Sequence, residues 1–386
     1  MRNSVRASKP RATCVLLALV LVTALAGCAP RWQATAQRPD GSSFAVDRGV
    51  LRDIRESVEG DKQEPVPLEP VLAAAGHRAV KWLFVVAPDG SRREFDWAAV
   101  ADTALWLDDG QLLVDGASLP VARVEVQPPV EMAQVQADLA DLAPTAAAAL
   151  GLPAPASATG QVLATGSADH VLLLYLDGFG YVRYQQALMQ GRVPSLAALP
   201  EPLVGLTVYP PATNTATAAV LTGALPDVNG VNRRGVRTTE VQTLFDVAAA
   251  AGRSVVAVEG DSLAFNLRNA QIQLSGDRDG NGSTDDNVLA NTLAVLDGGM
   301  PDLLWVHFHG IDDAGHTYGP GAAEEAAAVT FEDAAVEKIL DHVPAGTLVL
   351  IFGDHGMHTV VEEERAGNHG HLTETDIFVP VWMVSK

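Results

Sequence analysis

The chain has 386 residues, of which 48% are hydrophobic and 19% charged, and its formal charge is −21. That apolar share is too high for disorder over most of the length and is enough for one large core or two smaller ones. The 34 Gly and 23 Pro follow no fixed period, which excludes a collagen-like chain. The acidity argues against a nucleic-acid polymer as partner, because phosphate contacts need clustered Lys and Arg.

At the start, Arg2, Arg6, Lys9 and Arg11 form a basic head. An apolar run over 14–26 follows and ends in Leu25-Ala26-Gly27-Cys28. The run is short for a bilayer span and resembles a bacterial lipoprotein signal. That resemblance implies a signal peptide over 1–27, export, and lipid anchoring of Cys28 to a membrane of the bacterial cell envelope. Cys14 and Cys28 are the only cysteines, so the mature chain has no intrachain disulfide, thiolate zinc site or cysteine nucleophile.

Residues 28–44 read as a polar tether. Short apolar runs with turn signals then predict a small β-rich domain over 45–127. One hairpin is expected around Pro88-Asp89-Gly90 and another around Asp108-Asp109-Gly110, since Asp-Gly between strand-like runs favours a tight reversal. Trp82, Trp97 and Trp106 are candidates for its core, or for a ligand groove. No catalytic constellation is present in this region.

After Pro128-Pro129 the pattern changes, and 128–386 reads as a separate catalytic domain. The stretch 130–149 predicts one or two helices interrupted at Pro144. Continuous apolar runs follow at 171–176, 203–208, 254–258, 303–308, 348–352 and 378–384. Helical patterns lie between them at 214–222, 241–251, 285–296 and 322–342. Runs apolar on both faces and separated by helices predict an α/β fold, a mostly parallel sheet covered by helices on both faces. Ligands in such sheets bind beyond the carboxyl ends of the strands.

The residues after those runs carry the chemistry. Asp177-Gly178 follows the first, and Tyr209-Pro210-Pro211-Ala212-Thr213 the second. Asp312, Asp313 and His316 come after 303–308, Asp354-His355-Gly356 after 348–352, and His369 and His371 precede the last run. Carboxylates gathered at one sheet edge repel and need a cation between them. Asp, His and hydroxyl donors without Cys suit catalytic zinc, or a harder ion such as manganese.

These motifs resemble the alkaline phosphatase superfamily, and most of all its type I phosphodiesterase/nucleotide pyrophosphatase branch. Leu176-Asp177-Gly178 resembles the first metal motif, and the segment from Tyr209 through Thr213 to Thr222-Gly223 the nucleophile segment. Asp312-Asp313-Ala314-Gly315-His316, Asp354-His355-Gly356-Met357 and Asn368-His369-Gly370 resemble the remaining motifs. The resemblance implies two divalent ions, Zn2+ or Mn2+. Asp312, His316 and His369 would hold one, and Asp177, Asp354, His355 and the Thr213 oxygen the other. It implies that Thr213 is the nucleophile in hydrolysis of small phosphate mono- or diesters through a phosphothreonine. Asn214 and Arg234 are candidate phosphate-binding residues, the arginine standing where the pyrophosphatases offer an asparagine. Thr215, Asp313 and His371 are rivals to Thr213, Asp312 and His369. A phosphoethanolamine-type transferase, or a ligand-binding lipoprotein with an inactive domain, are the alternative readings.

Two further features stand out. The segment from Asp141 to Gly160 resembles one that usually follows the last His motif of the superfamily, so a circular permutation is inferred, with 131–160 near the strand at 378–384. The acidic loop 277–286 resembles a calcium loop, but its twelfth position is Val288 where an EF-hand places Glu, and a solvated acidic turn is the competing reading.

Overall fold

The computed structural model describes residues 32–58, 65–163, 166–361 and 364–386. The expected signal peptide over 1–27 and the expected lipid anchor at Cys28 lie outside the described residues.

In the N-terminal region a five-stranded sheet runs Ser43–Val46, Ala34–Gln37, Arg123–Gln127, Trp82–Val86, Arg92–Asp96. A four-stranded sheet holds Val66–Pro67, Leu105–Trp106, Gln111–Val114 and Ala117–Pro120. Trp82–Val86 pairs antiparallel with Arg92–Asp96, and Leu105–Trp106 with Gln111–Val114, around the two Asp-Gly turns. The reading of 28–44 as a tether needs correction. Ala34–Gln37 lies inside the sheet, parallel to Arg123–Gln127 and antiparallel to Ser43–Val46. Ala34 and Ala36 are buried there, and their small side chains gave little hydrophobic signal. Trp97 and Trp106 are fully buried in this region's core.

The remainder is a mixed α/β fold built on one eight-stranded sheet. Its order is Ala137–Asp138, Leu203–Leu206, Phe378–Ser385, Thr347–Gly353, His170–Leu176, Leu303–Phe308, Val255–Glu259, Gln271–Leu274. The central strands are parallel, whereas Phe378–Ser385 runs antiparallel to both its neighbours. The central runs are apolar throughout because both faces are covered. Leu173 and Tyr175 face one core, shared with helices Leu142–Ala149, Thr213–Thr222 and Leu244–Ala250. Leu172, Leu174 and Leu176 face the other, shared with Tyr181–Met189, Asp285–Asp297 and Ala323–His342. Fully burying such a side chain is worth roughly 1.5–3 kcal/mol, so these strands are the stable frame of the site.

Pro144 does not interrupt a helix. It stands in the first turn of Leu142–Ala149, where the missing N–H would lack a partner anyway. Upstream, Ala137–Asp138 is a short edge strand parallel to Leu203–Leu206, and Leu142 and Ala143 share a core with Val379 and Val381. The 131–160 segment therefore packs on the same sheet as the last strand.

Candidate metal centre

The sheet register sets the site. Leu176 lies opposite Phe308 on one side and opposite Gly353 on the other. Asp177, His309 and Asp354 therefore leave three adjacent strands at one level, with neighbouring strands about 4.8 Å apart. Gly178 is needed at the first exit. Its φ is +73°, and a Cβ there would stand 2.9 Å from the Asp312 Cα.

Asp354 is fully buried. Its Oδ2 accepts the Tyr175 hydroxyl at 2.6 Å, and its Oδ1 accepts the Gly178 N–H at 2.9 Å. The next residue, His355, has Nδ1 3.1 Å from the Gly356 carbonyl, which leaves Nε2 turned inward. That nitrogen is 3.1 Å from Asp354 Oδ2, 3.6 Å from Asp177 Oδ1 and 3.4 Å from Thr213 Oγ1. Asp312 and His316 are one turn apart on helix Gly310–Tyr318, with His316 Nε2 3.3 Å from Asp312 Oδ2. His316 Nδ1 is fixed on the Gly367 carbonyl at 2.8 Å. His369 stacks on His355, ring centres 3.6 Å apart, and its Nε2 is 3.8 Å from Asp312 Oδ1. Its Nδ1 is 2.8 Å from the Pro211 carbonyl.

These residues fit divalent ions. Donor atoms of Asp177, Asp354 and His355 all lie within 4.8 Å of one another, and so do those of Asp312, His355 and His369. The buried atoms Asp177 Oδ1 and Asp312 Oδ1 have no hydrogen-bond partner among the described residues. A buried carboxylate oxygen left so is costly unless a cation meets it. With protein charges alone, burial and then the neighbouring Asp177 push Asp312 well above the carboxylate range and Asp354 up to about 6. Burial, with His355 and Arg234 next to it, holds His369 well below 6.5, in the neutral form that a ligand requires. Each of His316, His355 and His369 has Nδ1 held by a backbone carbonyl and Nε2 turned towards the carboxylates, the usual arrangement of a metal ligand.

The members of the three rival pairs are placed differently. Thr213 opens helix Thr213–Thr222 beside His355, whereas Thr215 is buried and donates its hydroxyl to the Pro210 and Ala212 carbonyls at 2.6 and 2.8 Å. Asp313 is exposed on the helix that turns Asp312 inward. His371 faces the N-terminal region, 2.8 Å from both Glu69 Oε2 and Asp102 Oδ1. The candidate phosphate binders are close but differently employed. Asn214 spends its amide hydrogens on the Arg233 and Val236 carbonyls, at 2.9 and 2.8 Å, and so ties down the loop that carries Arg234. Arg234 donates to the His369 carbonyl at 2.6 Å and lies at the rim of the site.

Sequence reasoning missed Tyr175, which fixes Asp354, and the pair His307 and His309 at the end of Leu303–Phe308. A histidine inside an otherwise apolar strand was the available signal. Residues 277–282 of the acidic loop are exposed while Asp285 is buried, and Asp277 accepts N–H groups of Gly280, Asn281 and Gly282 from its own turn.

Residues 266–378 match the family model described as type I phosphodiesterase / nucleotide pyrophosphatase. This is the family that the motifs resemble, and the matched stretch holds Asp312, His316, Asp354, His355 and His369. Among curated proteins, the chain is 30% identical over 103 residues to the GPI ethanolamine phosphate transferase 3 catalytic subunit of Mus musculus, covering 27% of this chain and 9% of that protein. It is 34% identical over 85 residues to GPI ethanolamine phosphate transferase 3 of Eremothecium gossypii, covering 22% of this chain and 8% of that protein. The chain thus spans under a tenth of the length of these relatives. Among solved structures, phosphonoacetate hydrolase from Sinorhizobium meliloti 1021 in complex with phosphonoacetate aligns with a TM-score of 0.41 and 17% identity, over 51% of this chain and 58% of that one. Murine ectonucleotide pyrophosphatase / phosphodiesterase 5 aligns with a TM-score of 0.39 and 14% identity, over 50% and 59%.

Proposed function

We propose that this chain is a metal-dependent hydrolase of small phosphate mono- or diesters, with Thr213 as nucleophile. The observation that carries the reading is Thr213 Oγ1 at 3.4 Å from His355 Nε2, at the start of a helix, with Asp177 Oδ1 3.6 Å from the same nitrogen. Asp312, His316 and His369 would hold one divalent ion, and Asp177, Asp354, His355 and Thr213 the other. When bound, the two ions neutralise charge on the phosphoryl group and favour the alkoxide of the threonine.

The chain's own residues do the rest. The Thr213 oxygen attacks phosphorus in line, the bond to the leaving oxygen breaks, and the leaving alcohol takes up a proton. The first-turn N–H groups of the helix face the phosphoryl oxygens. Arg234, at the rim, supplies a guanidinium that reaches the same group with paired N–H donors. Water then attacks the phosphothreonine, the bond from phosphorus to the threonine oxygen breaks, and phosphate or its monoester leaves. Transfer to an acceptor alcohol differs only in what takes the place of water. The likeness to GPI ethanolamine phosphate transferases favours that as the second reading. Export and anchoring at Cys28 belong to the proposal too, and mass spectrometry of the mature N-terminus tests them.

The decisive assay uses nitrophenyl phosphate monoester and diester, with and without chelator. Thr213→Ala lowers turnover about 1,000-fold or more while the circular dichroism spectrum stays unchanged. Full activity in that variant, or in the chelated protein, overturns the reading. Added alcohols that divert product from phosphate to a new ester select the transferase.

A further inference from the structure

The segment that carries His369 has no regular structure of its own. Residues 369–373 lie between the two-residue strand Gly367–Asn368 and the single-turn helix Glu374–Ile377. A ligand in a working site must nonetheless be held within about 0.5 Å of its place. Asp376 takes the N–H groups of Gly370 and His371 from one side. The N-terminal region holds the other.

Glu69 lies in the first turn of helix Leu68–Ala74 and is 5% exposed. One of its oxygens accepts the Leu372 N–H, and the other is 2.8 Å from His371 Nδ1. The Val80 N–H donates to the Leu372 carbonyl at 2.7 Å. The Leu372 side chain is fully buried, and it is buried in the core of the N-terminal region, together with Leu68, Trp97 and Trp106. Both backbone groups and the side chain of Leu372 are thus bound by residues far upstream.

The segment that leads to Thr213 is held from the same place. Arg78 Nη2 donates to the Thr207 carbonyl at 2.8 Å, and Tyr209 packs against the core that holds Leu372. The two segments then meet at the site, where His369 Nδ1 is 2.8 Å from the Pro211 carbonyl. A buried N–H whose acceptor is removed turns towards water if the chain allows it. In a loop without a helix or strand of its own, that turn carries the neighbouring residues with it.

We infer that the N-terminal region is a positioning element of the metal centre, and that Glu69, through the Leu372 N–H, sets where His369 stands. The inference rests on the two-ion reading, in which His369 is a ligand. Glu69 acts through the loop and is a positioning residue.

Zinc binding by the full chain, measured by equilibrium competition with a chromogenic chelator, tests this without recourse to activity. Loss of an outer-shell partner costs about 10–100-fold in metal affinity, so Glu69→Ala should bind one of its two zinc ions more weakly by about that factor. Glu69→Gln keeps an oxygen for the Leu372 N–H and should restore most of the affinity. Leu372→Ala withdraws the buried anchor and should weaken the same ion, and it carries the test if Glu69→Ala does not fold. Leu112→Ala is the control for lost stability alone. Leu112 is fully buried in the same core, so this variant should unfold at lower urea and still bind both ions as wild type does. Wild-type zinc affinity in Glu69→Ala and Leu372→Ala overturns the inference and leaves the two-ion reading standing. So does an equal loss in Leu112→Ala, or a glutamine variant no better than alanine. No bound zinc in wild type overturns the two-ion reading and the inference with it.

Discussion

Asp376 offers a direct test of how the fold holds His369. It is fully buried and ends the loop that brings His369 to the site. Its Oδ2 accepts the N–H groups of Gly370 and His371 at 2.9 and 3.0 Å and lies 2.8 Å from His358 Nδ1. Its Oδ1 accepts the Thr375 hydroxyl at 3.1 Å. Asp376→Ala leaves two half-buried backbone donors without their acceptor. Each hydrogen bond to a charged group is worth about 1.5–3 kcal/mol, so the expected loss is roughly 3–6 kcal/mol. Asp376→Asn keeps one carbonyl oxygen for the same donors and should lose only about 1–2 kcal/mol. Urea unfolding followed by tryptophan fluorescence reads the change, since Trp382 is buried in the strand that follows. The alanine variant should also retain less metal, because His369 immediately precedes Gly370. An alanine variant within about 1 kcal/mol of wild type, with full metal content, would show that these bonds do not set the loop.

Two further predictions concern pH. Burial alone would lower the pKa of His371, but Glu69 and Asp102 outweigh it and raise it to about 9. The stabilisation is present in full below the unfolded value of 6.5 and is lost as pH rises through about 9. A thermal-melting series should show that decline in wild type and not in His371→Gln; equal slopes count against the contact. For Asp246, burial is outweighed by Arg268 and the Thr243 and Asn269 hydrogen bonds, and the pKa falls to about 2. Its stabilisation is present above the usual 3.8 and is lost as pH falls through about 2. Asp246→Asn should therefore flatten the acid limb of the stability curve, and an unchanged limb would refute the assignment.

Elements with strong local signals were legible. The Asp-Gly turns, the apolar central strands and the helices at 285–297 and 323–342 follow from short-range pattern and volume. Helices Tyr181–Met189 and Gly310–Tyr318 are not legible in the sequence, the second because Asp312, Asp313, His316 and two glycines interrupt its apolar period. Ala34–Gln37 escaped notice for a different reason, since its place in the sheet depends on Arg123–Gln127, far along the chain.

The types and spacing of the candidate donors are legible in the sequence, because strand ends must carry whatever the sheet edge presents. Which threonine, aspartate and histidine turn inward is not. Thr213 and Thr215 differ only in which side of a helix start they occupy, and the turn at Pro210–Ala212 takes the second hydroxyl. His369 and His371 stand on one short loop whose direction is set by Asp376 on one side and Glu69 on the other. Glu259, His307 and Asp177 come from three strands well separated along the chain, and only their register places them in contact. Local chemistry therefore chose the donors, and long-range packing chose which of them meet.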